Sequence, residues 1–366
     1  MSDHTHHQVH PHRVLTIEQR AAKRVDIERQ ILRGHHSSGK THEFDNTHDP
    51  KRPITYFFQE SQEGLILFVI LYTQACKWMR CAGCTLPSTS SLHHVSHWDI
   101  MDQTHFLFKQ PEILARAKDI QKVILSNQGS VLDQDTFPTT ALLHFVTKCN
   151  KHLPKMATLT LESRPEYVED VELEILARAL DEGEIPTTLE IAVGVEVHDE
   201  NLRTNVFGKG LPTRKLESMA EQLARHGFRM KCYYMFKPVE DQYMTRAQAI
   251  EDIHGAIKYL GDVMDRISGS SISIHLNPTY AARGTPLATA FKEHRYTPPF
   301  LSDVVEAVRY GEKFGIPIFV GLNAEDLEVK GGSFIREDNE EDQMLLGLLA
   351  EFNKTQNYRL FDSLPH

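Results

Sequence analysis

The segment Leu65-Ile-Leu-Phe-Val-Ile-Leu-Tyr72-Thr-Gln-Ala-Cys76-Lys-Trp-Met-Arg-Cys81-Ala-Gly-Cys84 joins an unbroken apolar run to a cluster of cysteines. Such a run is typical of a strand that is buried on both faces of a parallel sheet. Three of the chain's five cysteines then follow in a Cys-x4-Cys-x2-Cys pattern. This odd count and this crowding favour metal binding in a reducing compartment over a disulfide framework.

Outward from this segment, apolar runs rich in β-branched residues alternate with segments of helical period. The runs predict strands at 65–72, 122–126, 157–161, 189–197, 230–236, 271–276 and 316–322. Helices are predicted at 139–152, 168–180, 213–226, 246–265 and 300–314. This alternation predicts an α/β fold with a parallel sheet. No Gly-x-Gly-x-x-Gly follows the first strand, which disfavours a dinucleotide-binding open sheet and leaves a βα barrel as the better prediction.

The N-terminal part has a different composition from the rest. A polar stretch predicted to be disordered carries five histidines: His4, His6, His7, His10 and His12. A charged helix is predicted from Thr16, its N-cap, to Arg33, with Gly34 as the stop signal. Whether this helix covers the bottom of the barrel or mediates dimerisation is left open. Three parts are expected: an extension at 1–52, a barrel core at 53–325 and a C-terminal helical segment at 326–366.

The bulk composition excludes several classes of protein. With 40% hydrophobic and 25% charged residues, the chain has the composition of a globular protein. No apolar run approaches the roughly 20 residues of a membrane span, and the N-terminus lacks the apolar core of a secretory signal, so a cytoplasmic location is expected. The formal net charge of -10 argues against a non-specific nucleic-acid binder. Cys149 and Cys232 lie in apolar patterns and are predicted to pack in the core.

Polar residues stand where most predicted strands end. Since the chemistry of a βα barrel sits at the carboxyl ends of its strands, these residues are candidates for a site. In chain order they are Asn127, Gly129, Ser130, Glu162, Arg164, Glu196, His198, Lys237, Asn277, Thr279 and Asn323. Lys209, Arg214 and Lys237 could meet an anionic group at the barrel mouth, but each is expected to be an ordinary surface cation.

The cysteine pattern suits one kind of metal centre best. Three thiolates on one loop can each bind an iron of a [4Fe-4S] cluster, which leaves the fourth iron without a protein ligand. That iron can bind S-adenosylmethionine (SAM) and deliver an electron to it, generating a 5'-deoxyadenosyl radical. The alternative of another class is a zinc-stabilised binding module with a Cys3His site, completed by one of three nearby histidines: His93, His94 or His97.

The chain resembles the radical SAM superfamily, and within it the radical-SAM subunit family of archaeosine synthase, in the group that includes the elongator catalytic subunit. The resemblance covers roughly 54–323. It rests on the cysteine loop and on Ser126-Asn-Gln-Gly-Ser-Val-Leu-Asp133, Leu161-Glu-Ser-Arg-Pro-Glu-Tyr167, Glu190-Ile-Ala-Val-Gly-Val-Glu196, Leu276-Asn-Pro-Thr279, Arg283-Gly-Thr285 and Tyr296-Thr-Pro-Pro299.

The resemblance implies a partial (β/α)6-type radical SAM barrel with a short helical N-terminal extension. It implies that Cys76, Cys81 and Cys84 bind the [4Fe-4S] cluster. It also implies that a further set contacts SAM, namely Asn127, Gly129, Ser130, Glu162, Arg164, Glu196 and Asn277. The expected partners are a low-potential electron donor such as flavodoxin or ferredoxin and a substrate.

The substrate is expected to be a modified nucleoside, free or in tRNA, whose C–N bond is cleaved, or alternatively a small metabolite. The acidic chain shows no clear basic surface for tRNA, so nucleic-acid binding stays open. Too few cysteines remain for a second cluster, so an enzyme with one cluster is expected.

Overall fold

The computed structural model describes residues 15–323, 326–336 and 338–364. The histidine-rich N-terminal stretch lies outside these residues. Within them, eight strands form one sheet in sequential order. The strands are β1 (Thr55–Ser61), β2 (Gly64–Ile70), β3 (Ile120–Ser126), β4 (Thr158–Glu162), β5 (Thr188–Glu196), β6 (Arg229–Phe236), β7 (Ile272–Pro278) and β8 (Ile318–Val320).

Helices connect the parallel strands and cover the sheet. Their bounds are α1 (Ile17–Ser37), α2 (His97–Leu107), α3 (Pro111–Arg116), α4 (Thr139–His152), α5 (Asp170–Leu180), α6 (Thr213–Arg225), α7 (Arg246–Arg266), α8 (Pro286–Lys292), α9 (Leu301–Arg309) and α10 (Glu340–Thr355). Cys149 and Cys232 are buried, as predicted. None of the helices in the described residues is both long and apolar enough to cross a membrane.

The predicted α/β partial barrel is confirmed, with a different strand count. β2 to β8 form seven parallel strands rather than six, and β1 adds an antiparallel edge strand that the sequence analysis missed. Its residues, Thr-Tyr-Phe-Phe-Gln-Glu-Ser, lack the continuous apolar character of the inner strands because the strand is only half covered.

The C-terminal helix α10 lies against both β8 and β1, the two edges of the sheet. Asn353 accepts from the backbone N–H of Val320 and donates to its carbonyl, both at 2.8 Å. Gln356 does the same for Ile318 at 2.9 and 2.8 Å. The backbone N–H of Gln62 donates to the carbonyl of Asn353 at 2.9 Å. The side-chain amides of Asn353 in α10 and of its C-cap residue, Gln356, thus satisfy an edge that a closed barrel would pair with another strand.

Alternate residues of the strands face two different environments. Lys122 on β3 reaches Glu190 on β5, at 2.6 Å, past the intervening strand β4. Such a contact is possible only from the concave side of the sheet, so this set of residues points into the barrel. The other set, including Val123, Ile191 and Cys232, belongs to the main hydrophobic core. The barrel therefore has a polar interior and an apolar outer face beneath the helices.

The N-terminal helix packs on the cysteine loop, not on the bottom of the barrel. Ile27 and Ile31 of α1 form a small buried cluster with Ala75 and Met79. Thr16 is the N-cap, as predicted. The prediction that Gly34 ends the helix is wrong, because α1 continues to Ser37. Gly34 serves close packing, since a Cβ there would lie 2.7 Å from the carbonyl oxygen of Trp78.

Candidate cluster and cofactor site

The cysteine loop lies beyond the carboxyl end of β2, and Cys76, Cys81 and Cys84 are all partly exposed free cysteines. Burial raises the pKa of the Cys84 thiol to about 11 and also raises that of Cys81. As isolated thiols, Cys81 and Cys84 are therefore protonated at neutral pH, and binding a cation would have to displace their protons.

The loop is fixed against the segment that follows β5. The backbone N–H of Ala82 donates to the carbonyl of Phe207 at 2.7 Å, and the indole N–H of Trp78 donates to the carbonyl of Gly208 at 2.8 Å. A Cβ at Gly208 would lie 2.6 Å from the carbonyl oxygen of Arg80. Only glycine permits this approach, and its positive φ of 79° is equally a glycine conformation.

Residues at the end of β3 meet both the cysteine loop and the end of β4. A Cβ at Gly129 would lie 3.4 Å from the Cα of Cys76. Asn127 accepts from the backbone N–H of Gly129 at 3.1 Å and donates to the Thr73 hydroxyl at 3.2 Å. The Ser130 hydroxyl accepts from the backbone N–H of Arg164 at 3.1 Å. These contacts join the ends of β3 and β4 to the segment that leads into Cys76.

Arg164, which the sequence places at the end of β4, is buried among the same loops. Its guanidinium carbon lies 4.5 Å from the centre of the Trp78 ring, and one of its N–H groups donates to the carbonyl of Lys209 at 3.1 Å. A further N–H donates to the carboxylate of Glu166. Arg164 thus links β4 to the cysteine loop and to the segment after β5.

Glu196, at the end of β5, pairs with Lys209 at 2.9 Å. Gly194 makes this possible, because a Cβ there would lie 2.1 Å from Glu196 Oε1 and 2.5 Å from Lys209 Nζ. The expectation that Lys209 is a surface cation is wrong, since it is buried. The same holds for Lys237, which is buried and donates to the carbonyl of Thr297 at 2.7 Å. Arg214 is exposed, as expected.

Deeper in the barrel, Glu162 and Asn277 lie beside residues that the sequence analysis did not select. The Tyr233 hydroxyl donates to Glu162 at 2.9 Å. The Tyr233 and His275 rings meet edge to face, with centres 5.3 Å apart. Burial, together with the charges of Lys231 and Lys122, lowers the pKa of His275 to about 3. A Cβ at Gly321 would lie 2.3 Å from Asn277 Oδ1.

The missed residues Tyr233 and His275 do leave a trace in the sequence. Each stands two positions from another polar residue of the same strand, Lys231 in β6 and Asn277 in β7. That period of two indicates a polar inward face. Lys40 was not selected either, because it lies in a polar linker without the periodicity that would indicate a buried residue.

Backbone strain concentrates at this end of the barrel. Seven non-glycine residues among those described have positive φ, and four of them lie in the cysteine loop or directly at the ends of strands. The four are Met79, Gln128, Glu196 and Lys237, with φ of 50°, 58°, 72° and 59°. Such conformations cost free energy and are typical of binding and catalytic sites. The structure therefore marks the same end of the barrel as the cysteines do.

The metal assignment itself stays a prediction. Within the described residues, no three His, Cys, Asp or Glu side chains converge closely enough to hold a single ion. Tetrahedral zinc requires such convergence, whereas a cubane cluster binds each cysteine through a different iron. His93, one of the candidate zinc ligands, lies 3.0 Å from Glu28 of α1.

No family model matches the chain. An uncharacterized protein of Methanocaldococcus jannaschii is 26% identical over 275 residues, which are 72% of this chain and 71% of that protein. The archaeosine synthase subunit beta of Methanosarcina acetivorans is 25% identical over 249 residues, 66% of each chain. Among solved structures, queuine lyase from Clostridium spiroforme bound to SAM and queuine has a TM-score of 0.48 at 15% identity, covering 74% of this chain and 96% of that one. The predicted resemblance to the archaeosine synthase family is confirmed.

Proposed function

We propose that this chain is a radical SAM enzyme whose [4Fe-4S] cluster is held by Cys76, Cys81 and Cys84. The observation that carries the proposal is the position of the cysteine loop: it follows the first parallel strand of an open α/β barrel, and Gly129 from the next strand lies against it. In βα barrels this end of the sheet holds the chemistry.

The residues present fit a cubane cluster. Three cysteines on one loop supply three ligands, and the fourth iron is left for SAM. When bound, the cluster supplies one electron to SAM, whose cleavage gives methionine and a 5'-deoxyadenosyl radical that abstracts a hydrogen atom. The chain holds the loop through hydrogen bonds at Trp78, Ala82 and Met79. A flavodoxin or ferredoxin of low potential is the proposed electron donor.

The SAM site is proposed at the ends of β3, β4 and β5. Asn127, Gly129 and Ser130 would offer backbone and side-chain polar groups next to Cys76, while Glu162 and Arg164 stand across from them. Glu196 from β5 and Asn277 from β7 complete the proposed set. Lys209 acts indirectly, because it holds Glu196 in place, and the Ser130 hydroxyl in addition holds the backbone of Arg164.

For the substrate we propose a modified nucleoside, free or within tRNA, that undergoes C–N bond cleavage. A relative named archaeosine synthase subunit beta supports this class. The polar groups inside the barrel, Tyr233, His275 and Asn277, offer both donors and an unprotonated acceptor to a heterocycle. A small metabolite would need the same radical chemistry and is the alternative that a substrate assay can separate.

Anaerobic reconstitution of the full chain with iron and sulfide tests the cluster. We expect a brown protein with about four irons per chain, which forms 5'-deoxyadenosine from SAM when a reductant is added. Cys84→Ala should abolish both properties, whereas Cys232→Ala, which removes a buried core thiol, should keep the cluster. A colourless protein that retains one zinc per chain would contradict the proposal.

The substrate class is tested separately with the reconstituted enzyme. Bulk tRNA that carries modified bases and the free modified nucleosides are each incubated with SAM and reductant, and the nucleosides are then analysed by mass spectrometry. We expect loss of a substituent from a modified base, with 5'-deoxyadenosine formed alongside. Formation of 5'-deoxyadenosine that no nucleoside or tRNA stimulates, but a small-molecule extract does, would favour the metabolite alternative.

A further inference from the structure

Lys40, in the linker after α1, is a buried cation beside the cysteine loop. Only 5% of the residue is exposed. Its ammonium group donates to the carbonyl of Met79 at 3.1 Å and lies 3.8 Å from the Met79 sulfur. Met79 stands between Cys76 and Cys81 and has a positive φ of 50°. Lys40 therefore holds the strained residue of the loop that carries the three cysteines.

No carboxylate forms an ion pair with Lys40 within residues 15–323, 326–336 and 338–364. A buried charge without an opposite charge is costly, and proteins retain one where something compensates it. Met79, whose carbonyl oxygen and sulfur Lys40 contacts, lies three residues after Cys76 and two residues before Cys81. The nearby groups that can become negative are thus the cysteines themselves.

The other buried cations that surround the cysteine loop are paired with carboxylates. Lys209 pairs with Glu196 at 2.9 Å, and Arg164 pairs with Glu166. Each brings a compensating carboxylate, so each pair adds little net charge to the site. Lys40 adds a full positive charge, and the three thiolates of a [4Fe-4S] cluster give the site a net negative charge that it can offset.

We propose that Lys40 is a positioning residue of the cluster site. It fixes the Met79 carbonyl and supplies the charge that stabilises the reduced, more negative cluster, which raises the reduction potential. The inference rests on the proposed radical SAM function. It also gives the N-terminal extension a role: besides Lys40, the Ser38 hydroxyl lies 3.3 Å from the same Met79 carbonyl oxygen while it bonds the carbonyl of His35 at 2.9 Å.

The test is a redox titration of the reconstituted full chain, followed by the electron paramagnetic resonance signal of the reduced cluster. Lys40→Met keeps an unbranched side chain that is one heavy atom shorter and removes its charge, and Lys40→Arg keeps the charge. Arg29→Gln removes an exposed cation of α1 that pairs with Asp26 and serves as the matched control. Iron content is measured in every variant.

We expect a more negative midpoint potential for Lys40→Met, at unchanged iron content, and a potential near wild type for Lys40→Arg and Arg29→Gln. A wild-type potential in a fully loaded Lys40→Met variant would overturn the inference. If Lys40→Met fails to load, Lys40→Arg must still load; loss of the cluster from both variants would overturn the role of the charge.

These outcomes differ from failure of the proposed function. A wild-type chain that binds no cluster after reconstitution would overturn the radical SAM proposal and this inference together. A wild-type chain with a cluster, beside Lys40 variants that match it in potential, would overturn the inference alone.

Discussion

The floor of the barrel and its mouth both bury charged side chains, but in the described residues only the floor pairs every buried cation with a carboxylate. On the floor, at the amino ends of the strands, Lys122 lies 2.6 Å from Glu190 and 2.7 Å from Glu63. Lys231 and Arg229 lie 3.2 and 2.8 Å from Glu63. Every cation of this group of five, which we call the floor network, meets at least one carboxylate.

At the mouth, most buried cations are paired as well, but one of them is not, and several residues have a strained backbone. Lys40 is buried without a carboxylate partner in the described part of the chain, and Met79, Gln128 and Glu196 adopt positive φ. The floor network satisfies its members and can be understood as part of the folded structure alone. Burying Lys40 without a carboxylate and holding non-glycine residues at positive φ both cost free energy that packing does not offset. Proteins retain such features where a bound ligand compensates them. The floor therefore maintains the fold, and the mouth is the part of the barrel that we expect to bind a ligand.

The largest expected effect comes from breaking the floor network. Glu190→Gln removes the charge that Lys122 and Lys231 share and leaves both lysines with Glu63. Removing one partner of a buried ion pair costs about 3–5 kcal/mol, so the free energy of unfolding should fall by about that amount in a urea titration. Cluster loading of the folded variant should be unchanged.

Glu172→Gln is the matched control for this variant. Glu172 is also buried, but it accepts a hydrogen bond from Thr139 at 3.0 Å and has no ion pair in the described residues. The loss there should be about 1 kcal/mol or less, because an amide can keep that hydrogen bond. Equal losses in the two variants would show that the floor network adds nothing beyond ordinary burial.

The cysteine loop and the parallel strands could be predicted from the sequence because local signals encode them. The apolar run before Cys76 and the polar residues after β3, β4 and β5 are continuous in the chain. The floor network could not be predicted, since Lys122 and Glu190 each interrupt an apolar strand, and their pairing depends on the curvature of the sheet. The packing of α1 on the cysteine loop could not be predicted either, because helical periodicity does not indicate which part of the protein a helix packs against.

The second-largest expected effect is a loss of stability in acid, caused by protonation of Glu63 in the floor network. Burial alone would raise the pKa of Glu63, but the charges of Lys231 and Lys122 lower it to about 2. Since the unfolded value is about 4.5, Glu63 stabilises the fold above pH 4.5, and this contribution is lost as the pH falls towards 2. The difference amounts to about 3 kcal/mol at most.

The measurement is the free energy of unfolding of cluster-free protein between pH 5 and pH 2, for wild type and Glu63→Gln. Wild type should lose stability steeply in this window, and the variant, already less stable at pH 5, should lose less. Parallel curves for the two proteins would mean that Glu63 does not titrate with a lowered pKa.

The smallest expected effect comes from adding one methyl group to α1 where this helix packs on the cysteine loop. Alanine is the better helix former than glycine by about 1 kcal/mol, so Gly→Ala inside a helix normally stabilises. In Gly34→Ala, the new Cβ would lie 2.7 Å from the carbonyl oxygen of Trp78 and 3.0 Å from the Cβ of Met79. We expect a net loss of about 1 kcal/mol and a lower iron content after reconstitution, because α1 or the cysteine loop must shift.

Gly347→Ala in α10 is the control, since nothing lies within 4 Å of a Cβ at that exposed position. It should stabilise the protein by up to about 1 kcal/mol and leave the iron content unchanged. If Gly34→Ala lowers the free energy of unfolding while Gly347→Ala raises it, α1 is part of the cluster site and not an appended segment. If Gly34→Ala instead stabilises as Gly347→Ala does and loads iron fully, α1 only covers the loop, and the distinction between a fold-maintaining floor and a binding mouth would then rest on the core of the barrel alone.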